Sequence, residues 1–185
     1  MSKAIGIVES ISIAKGIEAA DGMVKMAPVK LFVARTICPG KFLILIGGDV
    51  GAVNSAVERG KEILREFMVD NVVIPNVHEN VLSALEATTE IKNVERQRAL
   101  GVIETYSVTA CIYAADAAVK AGGVNLIEIR PAVGLGGKSF ATMIGNISAV
   151  ESAINAGKNN ITEEGMILNF AIIPYISEDV LKKLI

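Results

Sequence analysis

"AIGIVESISIAKGIEAADGMVKMAPVKLFVAR" (4–35) lies without a gap over "ALGVIETYSVTACIYAADAAVKAGGVNLIEIR" (99–130). Of these 32 aligned positions 13 are identical and most others exchange like for like, so the chain reads as a tandem duplication. Gly6 matches Gly101, Glu9 matches Glu104, Asp21 matches Asp116, Lys25 matches Lys120 and Arg35 matches Arg130. The register then shifts by two, because "TICPGK" (36–41) is answered by the longer "PAVGLGGK" (131–138). Beyond it "GGDVGAVNSAVERGK" (47–61) pairs with "IGNISAVESAINAGK" (144–158). A further shift of two sets "VVIPNVHENVLSAL" (72–85) on "AIIPYISEDVLKKL" (171–184). The seam falls in the charged, polar "TTEIKNVERQR" (88–98), which gives a first domain over 1–90, a linker at about 88–98 and a second domain over 97–185.

Each half carries the same punctuation. Residues 3–9 are a short apolar run with glycine, read as a strand. Apolar side chains at helical spacing over 13–27 stop before Pro28. "VKLFVARTI" is a strand, Cys38 to Lys41 a hairpin turn and "FLILIGG" the returning strand. Asp49 or Asn54 is placed to cap a helix running to about Glu66, "NVVIP" reads as the last strand, and His78 or Glu79 opens a short final helix. The expected class is α+β: two tandem β-α-β-β-α-β domains of the ferredoxin-like, split βαβ kind. Each has an antiparallel-containing sheet with helices packed on it. That order alone serves many unrelated functions.

Composition narrows those functions. The 185 residues carry a net charge of about −2, which leaves no electrostatic footprint for nucleic acid. The longest uncharged apolar stretch, "FLILIGG" (42–48), is too short to span a bilayer, and "MSKAIGIVES" has no export-signal pattern. Two cysteines without a leader fit a reducing compartment better than a disulfide scaffold. The mean hydropathy is high for such a chain, which points to surface buried against partner subunits. Fused copies of one domain suggest an ancestral oligomer with linked subunits, for which a closed ring is the common form.

The halves diverge most at the hairpin, "TICPGKF" against "PAVGLGGKSF", and a loop that varies on a kept scaffold is where function is sought. "AIGIVES…EAADGMVKMAPVKL" and "ALGVIET…YAADAAVKAGGVNL", each followed by "GGDVGAV" or "GNISAV", resemble the shell domain of bacterial microcompartments (BMC), twice and over essentially the whole chain. The resemblance implies a structural subunit without catalysis of its own. It implies a homotrimer that imitates a hexameric tile and assembles with other shell proteins around encapsulated enzymes, redox enzymes among them, in the cytoplasm. It further implies that the two hairpins line a central pore. These are Thr36, Ile37, Pro39, Gly40 and Lys41 beside Cys38, and Gly134, Leu135, Gly136, Gly137 and Lys138 in the second half. Lys25 and Lys120 would sit at the tile edge, with Asp21 and Asp116 as support.

The Cys-Pro-Gly hairpin is similar to that of tandem shell proteins from propanediol-utilisation compartments, in which this cysteine meets its copies at the trimer axis and carries an iron–sulfur cluster. On that resemblance three Cys38 thiolates would hold a 4Fe–4S cluster for electron transfer across the shell, with a 3Fe–4S cluster or a zinc ion as chemical rivals. Soft thiolates suit either metal. Cys111, at the position of Gly16, is read as packing. "GLGGK" (134–138) lacks the spacing of a phosphate-binding loop and is expected to join two strands. Glu9 and Glu104 are read as scaffold residues and His78 as structural. A pore for metabolites without a cluster, a regulatory oligomer binding a small molecule, and a redox enzyme with Cys38 as nucleophile are the other readings.

Overall fold

The computed structural model describes residues 4–89, 98–161 and 166–184. Most of the expected linker, residues 90–97, lies outside them. Two compact units emerge: the chain up to Val77 together with Ala132–Gly137, and His78–Pro131 together with the chain from Lys138 onward.

In the first unit the elements are β1 (Ala4–Ser10), α1 (Ile13–Met26), β2 (Lys30–Ile37), β3 (Lys41–Gly48), α2 (Val50–Leu64), a single 3-10 turn (Arg65–Phe67) and β4 (Met68–Pro75). The sheet runs β2-β3-β1-β4 with every neighbour antiparallel, the ferredoxin-like order. Side chains alternate across a strand, so Ala4 and Val8 of β1 and Phe42, Ile44 and Ile46 of β3 share one face. On it lie Ala19, Ala20 and Met23 of α1 and Val53, Ala56, Val57 and Leu64 of α2. Gly6 belongs to the same face, and a Cβ there would stand 2.6 Å from Val57 Cγ2, so glycine is what lets α2 approach the sheet. Ser12 caps α1 by accepting the N–H of Lys15. Asp49 holds the N-cap position of α2 without a side-chain bond.

The second unit begins with α3 (Glu79–Leu85), followed by β5 (Ala99–Thr105), α4 (Val108–Gly122), β6 (Asn125–Arg130), β7 (Ser139–Gly145), α5 (Ile147–Asn160), β8 (Ile167–Ile173) and α6 (Glu178–Leu184). Its sheet repeats the order, β6-β7-β5-β8, again antiparallel throughout. Ser107 caps α4 and Asn146 caps α5, the former at the position matching Ser12. Leu181 of α6 and Ile176 pack on Leu100, Ile127 and Ile144. The helix α3, although its sequence closes the first repeat, packs across β6 and α4 with Val81 and Ala84 fully buried.

Candidate functional site

The site is built on the turn between β2 and β3. Ile37 ends one strand and Lys41 begins the next, leaving Cys38, Pro39 and Gly40 to reverse the chain. Gly40 takes φ +81°, a left-handed conformation that glycine adopts without steric cost, and its N–H donates to the Ile37 carbonyl at 3.1 Å. The Cys38–Pro39 peptide is cis. Thr36, Pro39 and Gly40 are exposed, Ile37 is buried and Cys38 is half-buried.

The loop Ala132–Gly137 belongs to the same compact unit and closes on this turn. The Cys38 N–H donates to the Ala132 carbonyl at 2.6 Å, and the Gly134 N–H donates to the Cys38 Sγ at 3.4 Å. At Gly137, where φ is +91°, a Cβ would come within 2.8 Å of Pro39 Cδ. Gly134 and Gly136 also have positive φ and are exposed, and Leu135 is half-buried. Gly137 therefore serves a close approach to the Cys38 turn, while Gly134 and Gly136 supply left-handed backbone with open space around them. As expected, the segment joins two strands.

Each hairpin is tied at its root by a lysine. Lys41 Nζ lies 3.2 Å from the Glu9 carboxylate, which is wholly buried, and Lys138 Nζ lies 2.9 Å from that of Glu104. The four residues are two repeat-matched pairs, so the duplication carries the same strut twice. The hydrogen bond to Glu104, and then its charge, raise the pKa of Lys138 above the ordinary 10.5. Both carboxylates are thus engaged in holding hairpins, in keeping with a scaffold role.

Lys25 pairs with Asp21 at 2.6 Å and Lys120 with Asp116 at 2.5 Å, each one helical turn apart. Asp21 is exposed, whereas Asp116 is buried and also accepts the His78 N–H at 2.8 Å. His78 in turn caps α3, its Nδ1 accepting the Asn80 N–H. Cys111 is fully buried in α4, as its packing role requires. Among the described residues no three His, Cys, Asp or Glu side chains gather to hold a metal ion, and each chain offers one thiol at the hairpin. The bond from the Cys38 N–H to Ala132 and that from the Gly134 N–H to the Cys38 sulfur were not foreseen; the signal for them was the extra length and glycine content of the second hairpin.

The chain matches the family described as BMC domain twice, over residues 4–77 and 99–176, and it belongs to that family. It is 43% identical, over 100% of its length and 99% of the relative's, to the bacterial microcompartment shell protein PduT of Citrobacter freundii. The carboxysome shell protein CsoS1C of Halothiobacillus neapolitanus is 34% identical over 47% of this chain and 92% of the relative. The crystal structure of a microcompartments protein from Desulfitobacterium hafniense superposes with a TM-score of 0.86 at 46% identity, covering 99% of both chains. A fused, permuted hexameric shell protein, at 18% identity and TM-score 0.62 over 84% of this chain and 82% of that one, shares the fold. The chain is a structural shell subunit, and its place is the bacterial microcompartment of the cytoplasm. No helix among the described residues is long and apolar enough to cross a membrane.

Proposed function

We propose that this shell subunit assembles as a homotrimer in which three Cys38 thiolates meet and hold an iron–sulfur cluster, a 4Fe–4S cluster first of all, to pass electrons across the shell. The observation that carries the reading is the setting of Cys38. It is a half-buried thiol on a tight turn, and its sulfur already receives a backbone N–H from Gly134. Amide donors aimed at a cysteine sulfur fit the donor set of a thiolate-ligated cluster, where hydrogen bonds to sulfur set the potential. A single chain contributes one such thiol, so the group needs several chains to complete it.

In this reading the chain's own residues position rather than react. Glu9 and Lys41 fix the root of the Cys38 hairpin, and the loop 132–137 fixes its tip. Thr36, Ile37, Pro39, Gly40 and Lys41, with Gly134 to Lys138, line the pore. Lys25 and Lys120 face neighbouring tiles of the same or other shell proteins. The cluster, when bound, supplies one-electron chemistry; the chain carries out no catalysis of its own.

The test is iron and acid-labile sulfide in anaerobically purified protein before and after Cys38→Ser. Iron and sulfide that vanish with the thiol support the reading. Equal iron content in both proteins sinks it, and zinc in place of iron makes the site a zinc site.

A further inference from the structure

A cleft of about 420 Å³ opens in the first unit between the start of α1 and the end of α2, a size that suits a small organic molecule. Its walls are charged. Lys15 pairs with Glu18 at 2.7 Å on α1, and Arg59 pairs with Glu62 at 2.9 Å on α2. Ile63 and Phe67, both half-buried, add apolar surface. Glycine at position 22 keeps the two helices close, since a Cβ there would collide with Ile63 Cδ1.

These charges belong to one repeat. Lys15 and Glu18 are matched by Ala110 and Tyr113, and Arg59 by Ala156. Ties that hold the scaffold, Glu9 to Lys41 and Glu104 to Lys138, occur in both halves. A charged cleft in one half alone is therefore not a requirement of the fold.

The residue that closes α2 sits in the cleft wall under strain. Arg65 takes φ +48° and ψ −120°, a conformation that favours glycine. Its Nε donates to the Glu62 carbonyl at 3.4 Å, and among the described residues its terminal nitrogens have no partner. The carboxylate of Glu66, the next residue in the wall, has none among them either. An arginine kept where glycine would fit more easily marks a site of use, because such strain gathers at ligand clamps.

We propose that this cleft binds a small zwitterion of the amino-acid type. The ligand's carboxylate meets the guanidinium fork of Arg65, its ammonium meets Glu66, and its apolar body lies against Ile63 and Phe67. The planar fork matches a carboxylate with two parallel hydrogen bonds. The wall charges left unengaged are one of each sign, so a ligand carrying both satisfies both, whereas a simple anion would face Glu66 uncompensated. Lys15, Glu18, Arg59 and Glu62 are already paired and shape the walls. The site stands independently of the trimer and of any metal.

Calorimetric titration of the full chain with L-leucine tests it, beside isovalerate, which lacks the ammonium, and isoamylamine, which lacks the carboxylate. Leucine should bind once per chain, and each analogue at least tenfold more weakly. Arg65→Gly should abolish saturable binding without lowering the thermal midpoint, because glycine suits the backbone at that position. Glu66→Gln should weaken leucine at least tenfold and leave isovalerate unchanged. No saturable leucine binding, leucine binding untouched by both substitutions, or isovalerate as tight as leucine overturns the proposal. A midpoint that falls in Arg65→Gly would make Arg65 a structural residue and overturn it too.

Discussion

The backbone N–H of Gly134 donates to the sulfur of Cys38 across 3.4 Å, although the two residues stand 96 positions apart in the chain. The longer glycine-rich hairpin of the second repeat is thus bound to the turn of the first. Duplication let one loop keep the thiol and the other become its support.

Removing that donor should alter the sulfur without touching it. Gly134→Pro deletes the N–H and cannot adopt φ +73°. In protein reconstituted with iron and sulfide, the midpoint potential should move to more negative values, because fewer donors then offset charge on the reduced centre. A potential equal to that of the wild type in a redox titration would show that the Gly134 bond has no bearing on the site.

The strut at the root of the Cys38 hairpin should outweigh the visible surface pairs. Glu9 is wholly buried and Lys41 is 14% exposed, whereas Lys25 and Asp21 are 74% and 61% exposed. Lys41→Ala should cost roughly 1.5–3 kcal/mol, the range for hydrogen bonds to charged groups. Asp21→Ala should cost at most about 1 kcal/mol, as exposed pairs do. Denaturant unfolding of both variants decides it, and equal losses would contradict the assignment.

Gly16 and Phe42 form a small–large pair whose matches, Cys111 and Ser139, reverse the sizes. A Cβ on Gly16 would lie 2.6 Å from Phe42 Cβ. Gly16→Ala should destabilise the fold by about 1–3 kcal/mol through overpacking. Combined with Phe42→Ser it should cost less than the two single changes summed, with a coupling of at least about 0.5 kcal/mol. Additive losses would mean that the volumes are not traded.

The tie between Lys138 and Glu104 sets its own pH window. A lysine whose pKa is raised on folding contributes stability that is fully present below its ordinary value and lost as pH rises through the raised one. The contribution is therefore constant at neutral pH and fades above about pH 10.5. Glu104→Gln should bring the Lys138 midpoint down toward 10.5 in an NMR titration of its side chain, and an unmoved midpoint would show the pair to be idle.

Much of this was legible in the sequence because it is local or periodic. The apolar spacing over 13–27 marks a helix that stops before Pro28, Pro39-Gly40 marks the turn, and the apolar run "FLILIGG" marks the returning strand. The repeat then doubled every such signal. The docking of α3 on β6 and α4 had no local signal, since a seven-residue helix with Val81 and Ala84 on one side reads the same whichever sheet it covers. The same holds for Glu9 and Lys41. Their pairing was missed because a carboxylate at a strand end says nothing about a lysine 32 residues on until the sheet order sets them side by side. Asp49 shows the reverse limit: the capping position was found, but its side chain makes no cap bond, while Asn146 at the matched place does.

The central claim is that three chains share one cluster at Cys38. Electron paramagnetic resonance on protein purified without oxygen, with iron and sulfide counted against chain concentration, tests it most directly. The account predicts a cluster signal on reduction or oxidation at one cluster per three chains, absent from Cys38→Ser. Iron-free protein that resists reconstitution, or a signal that survives loss of the thiol, would contradict it and leave a shell tile with a bare thiol at its hairpin.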